Sequence, residues 1–112
     1  MRYGKVTLSG VSDTQTIQPA HGELAYVRIT YTNGNAAGDL TITDLQTGLV
    51  FLTITNSATD FSAPVLQQAK DPTGTAITGF YEEMPITGGF TIASAQHNSN
   101  TSILVEIWWE CN

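Results

Sequence analysis

The stretch that decides the fold is ILVEIWWE, residues 103–110. Side chains along a strand alternate between its two faces, so Ile103, Val105, Ile107 and Trp109 share one side, and Leu104, Glu106, Trp108 and Glu110 share the other. The first set is uniformly apolar and reads as core. The second places Trp108 between two carboxylates and reads as an outward face.

The stretch ELAYVRITYT, residues 23–32, repeats the pattern. Ala25, Val27, Ile29 and Tyr31 fall on one face and Leu24, Tyr26, Arg28 and Thr30 on the other. Towards the N-terminus, Val6 and Leu8 alternate with Lys5 and Thr7, and a more polar segment surrounds Ile17. Between the two long stretches, Leu40 and Ile42 alternate with Thr41 and Thr43, then Gln46, Thr47 and Gly48 reverse the chain into Val50, Leu52 and Ile54, which is a hairpin by spacing. Turn residues punctuate the rest: Asn33, Gly34 and Asn35; Asp71, Pro72, Thr73 and Gly74; Thr87, Gly88 and Gly89. Ile77, Phe80 and Tyr81 mark a strand ended by Pro85, and Phe90 and Ile92 mark another. Only residues 61–70 admit a helix, and Pro64 with the short apolar span favours a strand or irregular segment at a sheet edge.

Strands separated by turns every eight to twelve residues or so, with no long helical period, predict an all-β fold: an antiparallel β-sandwich of about eight strands, expected to be a jelly roll. The whole chain, 1–112, is expected to be one domain. Val27, Ile29, Val105, Ile107 and Trp109 are its expected core. In a jelly roll the first long strand and the last are neighbours in one sheet. That arrangement brings Leu24, Tyr26 and Arg28 beside Glu106 and Trp108, an apolar cluster rimmed by charge and the expected protein interface. The plainer alternative for Trp108 is a partly exposed ring covering its own loop.

Composition narrows the functions. Charged residues make up 12% of the chain and hydrophobic ones 41%, so the surface is built from Thr, Ser, Asn, Gln and Gly. The net charge is -6, and the four basic residues, Arg2, Lys5, Arg28 and Lys70, are scattered. Phosphate backbones and anionic membranes need clustered cations, so neither nucleic acid nor membrane is an expected partner. MRYGKVTLSG lacks the apolar stretch of a signal peptide, which points to synthesis in a cytoplasm. The lone Cys111 has no partner for an internal disulfide, leaving only an intermolecular bridge open.

No catalytic constellation emerges. His21, His97 and Cys111 do not have the spacing of a zinc site. Glu82 and Glu83 point to opposite faces if they lie on a strand, whereas glycoside chemistry needs two carboxyls across one gap. Asp39, Asp44, Asp60 and Asp71 sit at turns, where the side chain bonds local backbone. The glycines form neither a dinucleotide nor a phosphate-loop pattern, and Asn100, Thr101 and Ser102 match the glycosylation acceptor pattern without a secretion signal. The expectation is a non-enzymatic module with no cofactor and no metal.

The pattern of Gly22, Glu23, Leu24, Val27, Ile29 and Tyr31, then Pro64, Asp71, Gly74 and Ile77, and finally Pro85, Ile86, Gly88 and Phe90 resembles small all-β virion proteins of tailed bacteriophages. The resemblance is closest to capsid decoration, or cement, proteins. It implies a homo-oligomer, commonly a trimer, on the outer capsid surface, made in the host cytoplasm and clamping neighbouring major capsid protein subunits against the pressure of packaged DNA. The rival is a carbohydrate- or receptor-binding module such as a fibre tip, in which Trp108, Tyr26 or Tyr81 stacks on a sugar ring.

Overall fold

The period-two patterning resolves into two antiparallel sheets. The computed structural model describes the backbone of residues 1–70, 73 and 76–111, and the side chains of these except 68–70 and 77–80. Among the described residues there is no helix, and eleven strands follow one another. The first five are β1 (Arg2–Ser9), β2 (Asp13–Ile17), β3 (Gly22–Thr32), β4 (Asp39–Asp44) and β5 (Val50–Ile54). Then come β6 (Phe61–Pro64), β7 (Gln67–Lys70), β8 (Ala76–Glu82), β9 (Pro85–Ile86), β10 (Phe90–Ala95) and β11 (Ser102–Glu110).

Sheet one has the order β1-β11-β3-β6, with β9 also paired to the start of β3; sheet two has the order β2-β10-β4-β5. The pairings are nested. β4 pairs with β5, β3 with β6, β2 with β10 and β1 with β11, all antiparallel, as in one long hairpin whose tip is the turn after Asp44. β7 and β8 pair with each other outside both sheets. The eleven segments exceed the eight or so expected from turn spacing because residues 61–70 divide into two short strands and the two-residue β9 docks separately. Pro64 ends β6 at the edge of sheet one, where its missing N–H costs no ladder bond. The turn expected at Asp71, Pro72, Thr73 and Gly74 lies, Thr73 excepted, outside the described residues, as do the side chains of Ile77 and Phe80.

The sandwich encloses one core. Leu8, Val27, Ile29, Ile103, Val105, Ile107 and Trp109 from sheet one meet Leu40, Ile42, Phe51, Phe90 and Ile92 from sheet two. Phe90 is the hinge of the contact, 5.4 Å from the Phe51 ring and 5.5 Å from the Trp109 ring, at tilted angles that suit aromatic pairs. All five residues expected in the core are there.

Leu24 corrects the sequence reading. Strict alternation puts it outward with Tyr26 and Arg28, yet it is fully buried. Trp108 lies opposite Tyr26 but Trp109 lies opposite Leu24, so Ala25 is an extra residue with no opposite number. Such a bulge resets the phase of the strand and turns the side chain before it to the other face. Leu24 therefore belongs to the core, held where its N–H donates to the carbonyl of Met84 at 3.0 Å.

Candidate functional site

The outward face of sheet one collects side chains from four strands into rows. Register places Tyr3, Trp108, Tyr26 and Pro64 side by side across β1, β11, β3 and β6. The next row is Lys5, Glu106, Arg28 and Ser62, and the one after it is Thr7, Leu104 and Thr30. Period-two alternation builds this face: Thr7, Arg28, Glu106 and Trp108 each alternate with apolar residues packed in or against the core.

Trp108 is the centre of the aromatic row. Its ring lies 4.9 Å from Tyr3 and 5.7 Å from Tyr26, the latter edge-on. The Arg28 guanidinium stands 5.5 Å over it, within cation–π range. Tyr3 is 46% exposed, so the row is open to solvent at the β1 edge.

Glu106 is the centre of the polar row, and its side chain is only 10% exposed although it faces outward. Its Oε1 accepts from Nε of Arg28 at 2.8 Å and its Oε2 accepts from the Tyr3 hydroxyl at 2.7 Å. The Arg28 hydrogen bond, followed by that of Tyr3, holds the Glu106 carboxyl below its usual range. The same contacts act in reverse on the partners: the hydrogen bond to Glu106 raises the Tyr3 hydroxyl and, on the other side, the Arg28 guanidinium. The Tyr26 hydroxyl is 2.6 Å from Oγ of Ser62. Tyr3, Tyr26, Arg28, Ser62 and Glu106 thus bond one another across the face.

Of the five residues singled out in the sequence, Tyr26, Arg28, Glu106 and Trp108 come together here, and Leu24 does not. Sequence reasoning missed Tyr3, Lys5, Ser62 and Pro64. Tyr3 was accessible in principle, since it shares parity with Lys5 and Thr7 against Val6 and Leu8. Ser62 and Pro64 carry no periodic signal and join only through the pairing of β6 with β3.

The other chemistry-bearing residues lie elsewhere. His97 is buried: its ring occupies space above Gly38, where a Cβ would fall 2.1 Å from Cε1, and packs 5.8 Å from the Tyr31 ring. Its Nδ1 accepts from the Asn35 N–H at 3.2 Å. His21 and Cys111, remote in sequence, meet at 3.5 Å between Nε2 and Sγ. Glu82 and Glu83 are exposed, and Glu82 accepts a hydrogen bond from Gln67. Asp39 and Asp60 accept from the N–H groups of Asn56 and Tyr31, tying loops to strands, while Asp71 lies outside the described residues.

Asp44 accepts more hydrogen bonds than any other side chain among the described residues. It is buried, and it accepts from the N–H groups of Gln46, Thr47 and Thr87 and from the hydroxyls of Thr47 and Thr87. Burial alone raises its pKa, but the Thr87 and Thr47 hydrogen bonds outweigh burial and pull it down to about 2. It locks the β4–β5 turn to the segment between β9 and β10.

The chain matches no family model, no curated protein and no solved structure, so the role of the sheet-one face rests on its own residues.

Proposed function

We propose that this chain is a non-enzymatic virion structural protein of the capsid decoration type, docking on major capsid protein subunits of a tailed bacteriophage through the outward face of sheet one. The observation that carries the reading is the Tyr3–Trp108–Tyr26 row beside the Glu106–Arg28 pair. Trp, Tyr and Arg are the residue types that dominate protein-docking energetics, and they dock best where a surface is ordered before the partner arrives. Here Glu106 is bonded to Tyr3 and Arg28, and Tyr26 to Ser62, before any partner arrives.

The nested strand order supports the fold expected for this role. With the β7–β8 hairpin and β9 set aside, the sheets read 1-8-3-6 and 2-7-4-5 in renumbered strands, the order of a jelly roll rolled from one long hairpin. The resemblance to cement proteins adds a homo-oligomer, a trimer, on the outer capsid surface. A sugar-stacking platform fits less well, because Arg28 already lies over the Trp108 ring and the Tyr3 and Tyr26 hydroxyls are already bonded.

The test mixes wild-type and Trp108→Ala protein with undecorated capsids and measures occupancy after sedimentation. Loss of a central anchor is expected to cost about 2 kcal/mol of attachment, roughly thirtyfold in affinity, with the fold intact. Equal occupancy by the variant removes Trp108 from the interface. Failure of wild type to bind capsids, with measurable binding to an oligosaccharide, moves the reading to a receptor-binding module.

A further inference from the structure

We propose that Asn33 is a site of self-modification, at which the Gly34 nitrogen closes on the Asn33 side chain to form a succinimide that water opens to aspartate or isoaspartate. Ring closure is hindered by a side chain on the residue after the asparagine, and glycine has none. Of the six asparagines in the chain, Asn33 alone precedes a glycine. The fold also keeps that glycine: a Cβ at position 34 would fall 2.6 Å from Cβ of Ala58, so a larger residue does not fit. Asn33 itself is exposed, with φ of 56°, a conformation that asparagine adopts more readily than most residues.

Hydrogen bonding sets this asparagine apart from its neighbours. Oδ1 of Asn35 accepts from the Ala37 N–H, its Nδ2 donates to Oδ1 of Asn98, and Nδ2 of Asn98 donates to the Asn33 carbonyl, so both of those side chains are engaged at each end. Among the described residues no hydrogen bond holds the Asn33 side chain or the Gly34 N–H, and electrophile and nucleophile can approach each other. The Asn33 carbonyl, by contrast, accepts from Oγ1 of Thr101 at 2.7 Å and from Nδ2 of Asn98 at 3.2 Å. The Thr101 hydroxyl in turn accepts from the Asn98 N–H at 2.9 Å, which polarises the proton it donates.

Those two donors act where charge develops. Closure starts when hydroxide from solvent takes the Gly34 amide proton, and the negative charge left behind is shared with the Asn33 carbonyl oxygen. Donors already aimed at that oxygen stabilise the anion without having to reorganise. The Gly34 nitrogen then bonds to Cγ of Asn33, the C–N bond of the side-chain amide breaks, and ammonia leaves with a proton from water, which restores the hydroxide. Water next opens the ring, giving aspartate when it attacks Cγ and isoaspartate when it attacks the main-chain carbonyl carbon. Isoaspartate routes the main chain through the side chain and moves the carbonyl that Thr101 and Asn98 hold, releasing the β3–β4 loop from the β10–β11 loop. None of these residues belongs to the outward face of sheet one, so the site stands or falls independently of capsid docking.

The test incubates the full chain in warm, mildly alkaline buffer and follows each asparagine by peptide mapping and mass spectrometry, with circular dichroism to show that the chain stays folded. The expected result is deamidation of Asn33 ahead of every other asparagine, as a mixture of aspartate and isoaspartate. Thr101→Val removes the shorter hydrogen bond and slows the loss of Asn33 by roughly tenfold, whereas Thr101→Ser, which keeps the hydroxyl, retains the wild-type rate. Asn98→Ala, at an exposed position, removes the longer bond and slows the reaction less. Asn33 intact at the end of the incubation, Asn56 or Asn100 deamidating as fast as Asn33, or folded Thr101→Val and Asn98→Ala both reacting at the wild-type rate would overturn the proposal.

Discussion

Asp44 and Glu106 are both largely buried carboxylates whose acidity is increased by hydrogen bonds, and they are held in opposite ways. Asp44 is gripped by backbone N–H groups and two short threonine hydroxyls from the turns at one end of the sandwich. Glu106 is gripped by two long side chains from neighbouring strands, Arg28 through Nε and Tyr3 through its hydroxyl. The Arg28 side chain is 51% exposed and Tyr3 is 46% exposed, so the partners of Glu106 face solvent while those of Asp44 are part of the chain's own turns. Bonds from backbone spend a carboxylate on folding. Bonds from exposed side chains prepare a surface and leave it free to meet another molecule.

The comparison breaks first at Asp44. Asp44→Ala removes the buried carboxylate to which Gln46, Thr47 and Thr87 donate, and is expected to lower unfolding free energy by about 3 kcal/mol in a denaturant titration. A loss under about 0.5 kcal/mol would show that the turns hold without it. Acid sharpens the same point. The Asp44 pKa is about 2 in the folded chain against about 3.9 for an unfolded aspartate, so its stabilisation is fully present above the unfolded value and is lost as pH falls through the folded one. The difference is worth about 2 kcal/mol between roughly pH 5 and pH 1, and Asp44→Asn is expected to flatten that part of the acid limb.

Glu106 gives the smallest effect on stability and the most local one. Replacing it by Ala removes the hydrogen bond, and with it the charge, that raises the Tyr3 hydroxyl, so Tyr3 is expected to ionise at lower pH than in the wild type. A spectrophotometric tyrosine titration reads this directly against the Tyr3→Phe background. An unchanged Tyr3 titration would mean that the Tyr3–Glu106 bond does not order the face in solution.

Much of this architecture was legible in the sequence because β11 is regular. Val105, Ile107 and Trp109 announce the core by alternation, and Glu106 and Trp108 announce an outward face. Alternation fails at the first irregularity: Ala25 inserts a bulge that no periodic reading locates, and Leu24 changes sides. Tyr3 reaches Glu106 across 103 positions, a contact fixed by the pairing of β1 with β11 rather than by anything local. His97 is buried because Gly38 leaves a space for its ring, and the two residues are brought together only by the sandwich. The meeting of His21 with Cys111 likewise depends on Gly22 and on where two strands end.

The central claim is that the face bearing Tyr3, Trp108 and Tyr26 is the one that meets other protein subunits. Electron cryomicroscopy of capsids decorated with the wild-type protein tests it most directly. The account predicts density in which Trp108 and the Arg28–Glu106 pair are buried against capsid or neighbouring copies while the β4–β5 turn, with Asp44 beneath it, points away. A decorated particle in which the sheet-one face lies open to solvent and the protein attaches by another surface would contradict it.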